Sequence, residues 1–226
     1  MKILTFDTST ELMYVTISDD DNIKTTRTVE STKERYNSAL LIPTIIELLK
    51  EQDLTMQDIE AIGVNIGPGS FTGIRASATV ARTIAQNLGI PAAGIPSLEI
   101  ISLINNTDKS SLCLLDARRN KVYTAIYSSD GNIMQEPCVM DLDKAIETAK
   151  TGNYFIITDN KMTLQIKEAG LESINIQQNN YNFGINLVNL ACKYLKECEP
   201  EKLKWYNLKP LYIQPPPISM RALTNS

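Results

Sequence analysis

The sequence ILTFDTST at residues 3–10 is a short apolar run that ends at an aspartate and a polar turn. From there, apolar and polar residues alternate to about residue 29, which predicts three antiparallel strands joined by tight turns. A similar series starts again with LCLLD at residues 112–116 and continues through the turn ARRNK to residue 140. Two halves that open in the same way predict a duplicated α/β unit, joined near residues 103–111.

Outside these meanders, the hydrophobic period changes from two to about 3.6 residues. We expect helices at 35–52, 72–88, from Ser97 onward, 141–150, 161–169 and 182–198, and strands at 60–66, 90–95 and 154–158. This alternation favours mixed sheets flanked by helices. We assign residues 1–105 to a first subdomain and residues 106–226 to a second, which ends in an extended proline-rich tail from Pro215.

The composition excludes several classes of function. The chain has no histidine, which excludes Ser-His-Asp and Cys-His catalysis and HExxH zinc hydrolysis. Its net charge of −4 does not favour binding to nucleic acid over a broad surface. Asp7 interrupts the first apolar run, and no window has the 18 or so apolar residues of a membrane span, so we expect neither a signal peptide nor a membrane partner.

The four cysteines show no CxxC spacing and lie in apolar or amphipathic stretches: Cys113, Cys138, Cys192 and Cys198. Reduced core thiols of a cytoplasmic protein explain them better than a disulfide or a metal site.

The sharpest local motif is GPGSFTG at residues 67–73, between a predicted buried strand and a predicted helix. As a structural turn it comprises Gly67, Gly69, Ser70, Thr72 and Gly73. The glycines permit close approach of helix and sheet, and Ser70 or Thr72 can cap the helix. Exposed amides at a helix N-terminus also attract anions, so a phosphate site is the alternative, although no lysine follows as it would in a P-loop.

Two helices carry more apolar surface than one core requires. In residues 40–49, LLIPTIIELL, seven aliphatic positions cover about 240° of the helical wheel, whereas a core contact needs about 100°. Helix 72–88 has a second stripe of small residues besides its core stripe. A neighbouring helix of this chain or a partner protein must cover this surplus. We predict a partner interface formed by Leu41, Ile42, Ile45, Leu49, Ala76, Val80, Thr83 and Asn87.

Polar residues end the first strand of each half: Asp7, Ser9 and Thr10 in one, and Asp116 in the other. They could hold magnesium and a nucleotide phosphate, or they could simply close turns. Lys202 and Lys204 lie next to Trp205 and Tyr206, a cluster that is typical of a solvated rim and also of an RNA platform.

Several segments resemble the bacterial TsaB (YeaZ) family: residues 1–10, 67–75, 89–91 with 96–98, 116–118 with 122–123, and 209–213. The resemblance covers residues 1–127 well and the remainder loosely. It implies the duplicated fold of actin, sugar kinases and heat-shock-chaperone ATPases. It also implies an accessory role in forming threonylcarbamoyladenosine beside the anticodon of tRNAs that read codons beginning with A.

In that family, the accessory subunit forms a heterodimer with the larger paralogue TsaD, which carries the metal and transfers the threonylcarbamoyl group, and the small ATPase TsaE binds the pair. The resemblance therefore implies these two partners, contact with tRNA only through the complex, and a homodimer when the paralogue is absent. It implies no catalytic residue, metal or cofactor in this chain, with ATP only at an interface of the complex.

Two departures from catalytic relatives support the accessory role that the resemblance implies. The metal-ligand histidines of TsaD correspond to Ser97 and Ile101, and Ser9 stands where kinase-like members carry glycine. The alternative function is an ATP-dependent phosphotransferase of the same fold, based on Asp7, Asp116 and the glycine turn. A peptidase has no activating histidine or metal triad to support it.

Overall fold

The computed structural model describes residues 1–20, 22–30, 37–178 and 181–214 and contains two five-stranded mixed sheets. The first has the order β3-β2-β1-β4-β5, with β1 Lys2–Asp7, β2 Leu12–Asp19, β3 Asn22–Glu30, β4 Ala61–Gly67 and β5 Ala92–Pro96. The second has the order β10-β9-β6-β7-β8, with β6 Ser110–Asp116, β7 Lys121–Tyr127, β8 Ile133–Asp141, β9 Tyr154–Thr158 and β10 Ile174–Asn175.

The two sheets share one topology. In each, the first three strands form an antiparallel meander, and the fourth pairs in parallel with the first. The fifth then pairs in parallel with the fourth. The predicted duplicated α/β fold, with two mixed sheets, is therefore confirmed.

The helices are α1 Asn37–Glu51, α2 Phe71–Leu88, α3 Ser97–Ser102, α4 Leu142–Thr151, α5 Asn160–Glu168 and α6 Phe183–Glu197. Each helix begins and ends within two residues of the bounds that the sequence predicted for it. Residues 35 and 36 of the first predicted helix and the tail from Pro215 lie outside the described residues. The sequence reading missed the two-residue strand β10 and a 3₁₀ turn at Met56–Asp58, which are too short to show a period. In the described part of the chain, no helix is long and apolar enough to cross a membrane.

The first sheet is covered on both faces. Leu4 and Phe6 of β1 pack with α1 and α2, whereas Ile3, which alternates with them, packs with α6. α6 approaches closely because Gly63 has no side chain: a Cβ there would lie 2.5 Å from the Cβ of Ala191. Both faces of this sheet are therefore sealed by helices of the same chain.

This packing corrects the predicted division of the chain. Residues 106–226 were assigned to the second subdomain, yet α6 packs on the first sheet. Residues 203–211 also return to the first sheet, where the Ala92 amide donates to the Leu203 carbonyl at 2.8 Å and the Leu211 amide donates to the Ile66 carbonyl at 2.9 Å. Sequence periodicity shows that a helix has an apolar face but does not show which sheet covers it.

Candidate functional site

The glycine turn between β4 and α2 packs directly on the turn after β1. A Cβ on Gly69 would lie 2.8 Å from the Ser9 carbonyl oxygen, and one on Gly73 would lie 1.8 Å from the Thr8 carbonyl oxygen. Gly67 has φ of 102°, a conformation that disfavours other residues. These glycines allow the start of α2 to touch the end of β1.

The amides of this turn bind acceptors from the chain itself. The Ser70 amide donates to the Ser9 carbonyl at 2.8 Å, and the Gly67 amide donates to Asn65 Oδ1 at 2.8 Å. Ser70 is the N-cap of α2, and its hydroxyl accepts from the Gly73 amide at 3.3 Å. Thr72, the other predicted cap, lies exposed within the first turn of α2. Three amides of this turn, those of Gly67, Ser70 and Gly73, are thus engaged within the chain.

Asp7 belongs to a buried polar network centred on Asn65. Asn65 Nδ2 donates to Asp7 Oδ2 at 2.8 Å and to Ser9 Oγ at 3.0 Å, and the Ser9 amide donates to Asp7 Oδ1 at 2.7 Å. Ser97 Oγ donates to Asn65 Oδ1 at 2.7 Å. Burial raises the pKa of the Asp7 carboxyl more than these hydrogen bonds lower it. The network ties β1, β4 and α3 together.

Sequence reasoning missed Asn65, although it identified Asp7 and Ser9. The available signal was an amide residue within the apolar strand 60–66, because a buried polar side chain requires partners.

Asp116 and Thr10 are not part of this network. Asp116 Oδ1 accepts from Lys161 Nζ at 2.9 Å and from the Arg118 amide at 3.0 Å. The exposed Thr10 hydroxyl donates to the Leu12 carbonyl at 2.9 Å, which closes its turn. Among the described residues, Asp7 and Asp116 share no hydrogen-bond partner. Asp7 and Ser9 belong to the buried network, whereas Thr10 and Asp116 make separate local contacts.

The paired helices α1 and α2 differ from the prediction. Leu41, Ile45 and Leu49 lie in the chain's own core with at most 4% of their surface exposed, so they cannot contact a partner. On one flank of α1, Arg27 of β3 forms exposed ion pairs with Glu51 at 2.7 Å and Glu47 at 4.0 Å. Periodicity alone could not show which of the seven aliphatic positions the core takes, since together they cover most of the helical wheel.

A smaller apolar surface remains open on these helices. Ile42 and Ile46, one turn apart on α1, are 54% and 44% exposed. On α2, which packs next to α1, the predicted second stripe has Thr83 and Asn87 exposed and Ala76 and Val80 half-buried. We call the residues Ile42, Ile46, Ala76, Val80, Thr83 and Asn87 the helix-pair patch. Ile46 was not among the predicted partner residues.

The model of the tRNA N6-adenosine threonylcarbamoyltransferase family, TsaD, matches residues 28–214. The chain belongs to this family. Relatives named tRNA threonylcarbamoyladenosine biosynthesis protein TsaB are 32% identical over 138 residues in Bacillus subtilis and 30% identical over 138 residues in Escherichia coli. These matches cover 60% and 58% of this chain and 59% and 57% of the relatives. The chain thus spans less than two thirds of these two TsaB proteins. The predicted TsaB (YeaZ) resemblance is confirmed.

Solved structures support the fold. YeaZ from Pseudomonas aeruginosa superposes with a TM-score of 0.74 at 19% identity, covering 93% of this chain and 99% of that chain. At this identity the match shows a shared fold and no more.

Within the TsaD family, the two positions that the resemblance equates with metal-ligand histidines have other roles here. Ser97 is 5% exposed and donates a hydrogen bond to Asn65. Ile101 is 6% exposed and packs in a core cluster with residues of β6 and β7. In the part of the chain that the structure describes, no three Asp, Glu, Cys or His side chains are grouped to hold a metal ion. These side chains do not fit the metal of the catalytic relatives.

Proposed function

We propose that this protein is a non-catalytic partner subunit for threonylcarbamoyl transfer to the adenosine beside the anticodon of tRNAs that read codons beginning with A. It acts in the cytoplasm with a TsaD-like paralogue, which carries out the transfer, and with a TsaE-like ATPase. The names of its TsaB relatives support this assignment.

The observation that carries the proposal is the helix-pair patch. Two isoleucines one turn apart on α1 are exposed, and the neighbouring helix α2 carries a stripe of smaller residues that are exposed or half-buried. Rows of side chains on one helix that fit between those of another are the geometry by which helices pack on helices. Exposed apolar surface of this kind is typical of a protein interface.

The partner that fits is a related helix pair. In a two-fold or pseudo-two-fold arrangement, the same patch on both proteins can be self-complementary, so that two helix pairs form a four-helix contact. A TsaD-like paralogue of the same fold supplies such a pair, and a second copy of this chain supplies one when the paralogue is absent.

The polar networks support the non-catalytic part of the proposal. Asp7 is 4% exposed, with both oxygens accepting hydrogen bonds from the chain, and Ser97 and Ile101 provide no metal ligand equivalent to histidine. We propose that the chain has no cofactor of its own and that ATP binds only at an interface of the complex. Binding of ATP by the purified chain alone, lost in Asp7→Asn, would favour the phosphotransferase instead.

The interface is tested with Ile42→Glu and the matched control Leu164→Glu. Leu164 is 61% exposed on α5, in the second half of the molecule. Calorimetry should show affinity for the TsaD-like paralogue reduced at least tenfold, an order-of-magnitude expectation for a central interface residue, in Ile42→Glu and unchanged in Leu164→Glu. Circular dichroism should show both variants folded. Equal affinities in the two variants would contradict the proposed interface.

A further inference from the structure

Two cation–aromatic contacts lie along one flank of α2. The Arg75 guanidinium carbon lies 5.1 Å from the centroid of the Phe71 ring, and that of Arg82 lies 5.6 Å from the Trp205 ring. The Phe71 ring in turn lies 5.6 Å from the Tyr212 ring. We call Phe71, Arg75, Arg82, Trp205 and Tyr212 the aromatic–cation strip.

The strip is held rigidly by the fold. Residues 203–212 cross the edge of the first sheet beside α2, so that Trp205 meets the middle of the helix and Tyr212 meets its start. Leu208 is 3% exposed in the core, and the Leu211 amide is bonded to the Ile66 carbonyl. From Phe71 to Arg82 is eleven residues of helix, or about 16 Å.

Much of this surface is open to solvent. Phe71 is 43% exposed and Tyr212 is 48% exposed, and Tyr206, whose ring lies 5.4 Å from that of Trp205, is 43% exposed. Phe71 and Tyr212 thus leave an aromatic surface available to a ligand, although Arg75 lies over one part of the Phe71 ring. Trp205 is half-buried, with Arg82 over its ring.

The local charge is positive although the whole chain is acidic. Lys202, Lys204 and Lys209 lie on the same segment as the aromatic rings, and Arg75 and Arg82 lie beside it. Within the described residues, none of these five cations forms an ion pair. Two exposed acids, Glu199 and Glu201, precede these lysines, and Glu201 accepts a hydrogen bond from the Tyr206 hydroxyl at 2.7 Å.

We propose that the aromatic–cation strip binds single-stranded RNA. Alternating aromatic rings and cations are the surface that such strands require, since bases stack on the rings and phosphates pair with the cations. A length of about 16 Å accommodates at most about five stacked nucleotides at about 3.4 Å each. This deepens the proposed function: the strip takes the single-stranded loop of the tRNA, so the chain contacts its substrate RNA directly.

The strip and the helix-pair patch lie on different sides of α2. Arg82 and Val80 are two residues apart, which places them about 160° apart around the helix. A protein bound to the helix-pair patch therefore leaves the strip accessible, and RNA and the TsaD-like paralogue can bind together.

Trp205 is the single tryptophan of the chain and reports on the strip. An anticodon stem–loop RNA titrated into the purified full chain should quench its fluorescence saturably, and added salt should weaken the binding. Fully duplex RNA of equal length, free ATP and the TsaD-like paralogue serve as separate titrants. Equal quenching by the duplex or by ATP would overturn single-strand recognition, and quenching by the paralogue alone would assign the strip to protein contact.

Tyr212→Ala and Arg75→Gln test the residues. Each should weaken binding of the stem–loop about tenfold, as expected for loss of one stacking or phosphate contact. Arg118→Gln is the matched control, since Arg118 is an exposed arginine in the turn between β6 and β7. Circular dichroism and affinity for the paralogue should be unchanged in all three variants. RNA affinity unchanged in both strip variants would overturn this inference, and normal heterodimer formation would then leave the proposed function standing.

Discussion

Gly73 and Thr8 are in backbone contact: a Cβ on Gly73 would lie 1.8 Å from the Thr8 carbonyl oxygen. The Thr8 hydroxyl donates to the Gly73 carbonyl at 2.8 Å and lies 2.6 Å from the Ser77 hydroxyl, which donates to it in return. The end of β1 and the first two turns of α2 are thereby joined through side chain and backbone. The glycine motif therefore sets the position of α2, and with it both the helix-pair patch and the aromatic–cation strip.

We expect Gly73→Ala to lower the free energy of unfolding by about 3 kcal/mol or more, because the added methyl group meets a backbone carbonyl that cannot move without displacing β1. Chemical denaturation measures this. Gly94→Ala is the control: its Cβ would lie 2.8 Å from side-chain carbons of Ile66 and Leu208, which can adjust, so we expect a cost of only about 1 kcal/mol. Equal costs would contradict the role assigned to the backbone contact.

Substitutions on the buried and the exposed face of α1 should differ in their effect on stability. Ile45 is 1% exposed in the core, so Ile45→Ala should lower the free energy of unfolding by about 2–5 kcal/mol. Ile42 is 54% exposed, and Ile42→Ala should change it by less than about 0.5 kcal/mol. Thermal denaturation of the two variants checks the assignment, which fails if Ile42→Ala is the more destabilised.

Glu99 should make stability depend on pH. It is 4% exposed, and burial raises the pKa of its carboxyl above 4.5 by more than the Tyr194 hydrogen bond and Lys193 lower it. The folded protein thus holds this proton more tightly than the unfolded chain, so the stabilisation is present below about pH 4.5 and is lost as the pH rises through the folded value.

Glu99→Gln should therefore show a smaller loss of unfolding free energy than the parent protein between pH 5 and pH 8, measured by urea denaturation. Glu168→Gln, at an exposed position at the end of α5, should behave like the parent. A parent-like pH profile in Glu99→Gln would show that its burial does not disfavour the charge.

Tyr127 and Tyr194 should respond oppositely to loss of the hydroxyl. Tyr127 is 1% exposed, and its hydroxyl has no hydrogen-bond partner among the described residues. Tyr127→Phe should leave the melting temperature unchanged or raise it, because an unsatisfied buried group is removed. Tyr194 donates to Glu99 Oε2 at 2.5 Å, and Tyr194→Phe should lower it. The reverse order would contradict these assignments.

Much of the fold could be predicted because its signals are local. The alternation in the two meanders and the 3.6-residue period of the helices can each be recognised within a short window of sequence. The two strands that end at Asp7 and Asp116 indicate the duplication. The covering of the first sheet by α6 could not be predicted, because it depends on a contact between Gly63 and Ala191 across 128 positions of the chain.

The candidate site was predictable in part. Thr8 and the glycine turn were recognisable as turns, but their contact joins β1 and α2, which are far apart in sequence. The hydrogen bonds of Asn65 likewise join β1, β4 and α3. In the same way, Phe71 and Tyr212 form one surface only after residues 203–212 return beside α2.

The sequence by itself determined the duplicated α/β plan, the absence of histidine chemistry and the excess of aliphatic residues on α1. Tertiary structure alone decided which of those residues stay exposed. The core takes Leu41, Ile45 and Leu49, whereas Ile42 and Ile46 are left open to solvent. The flank with Glu47 and Glu51 faces Arg27 of β3. The physical reason is that a helical period specifies the angle between side chains, whereas burial depends on which neighbours the folded chain places around them.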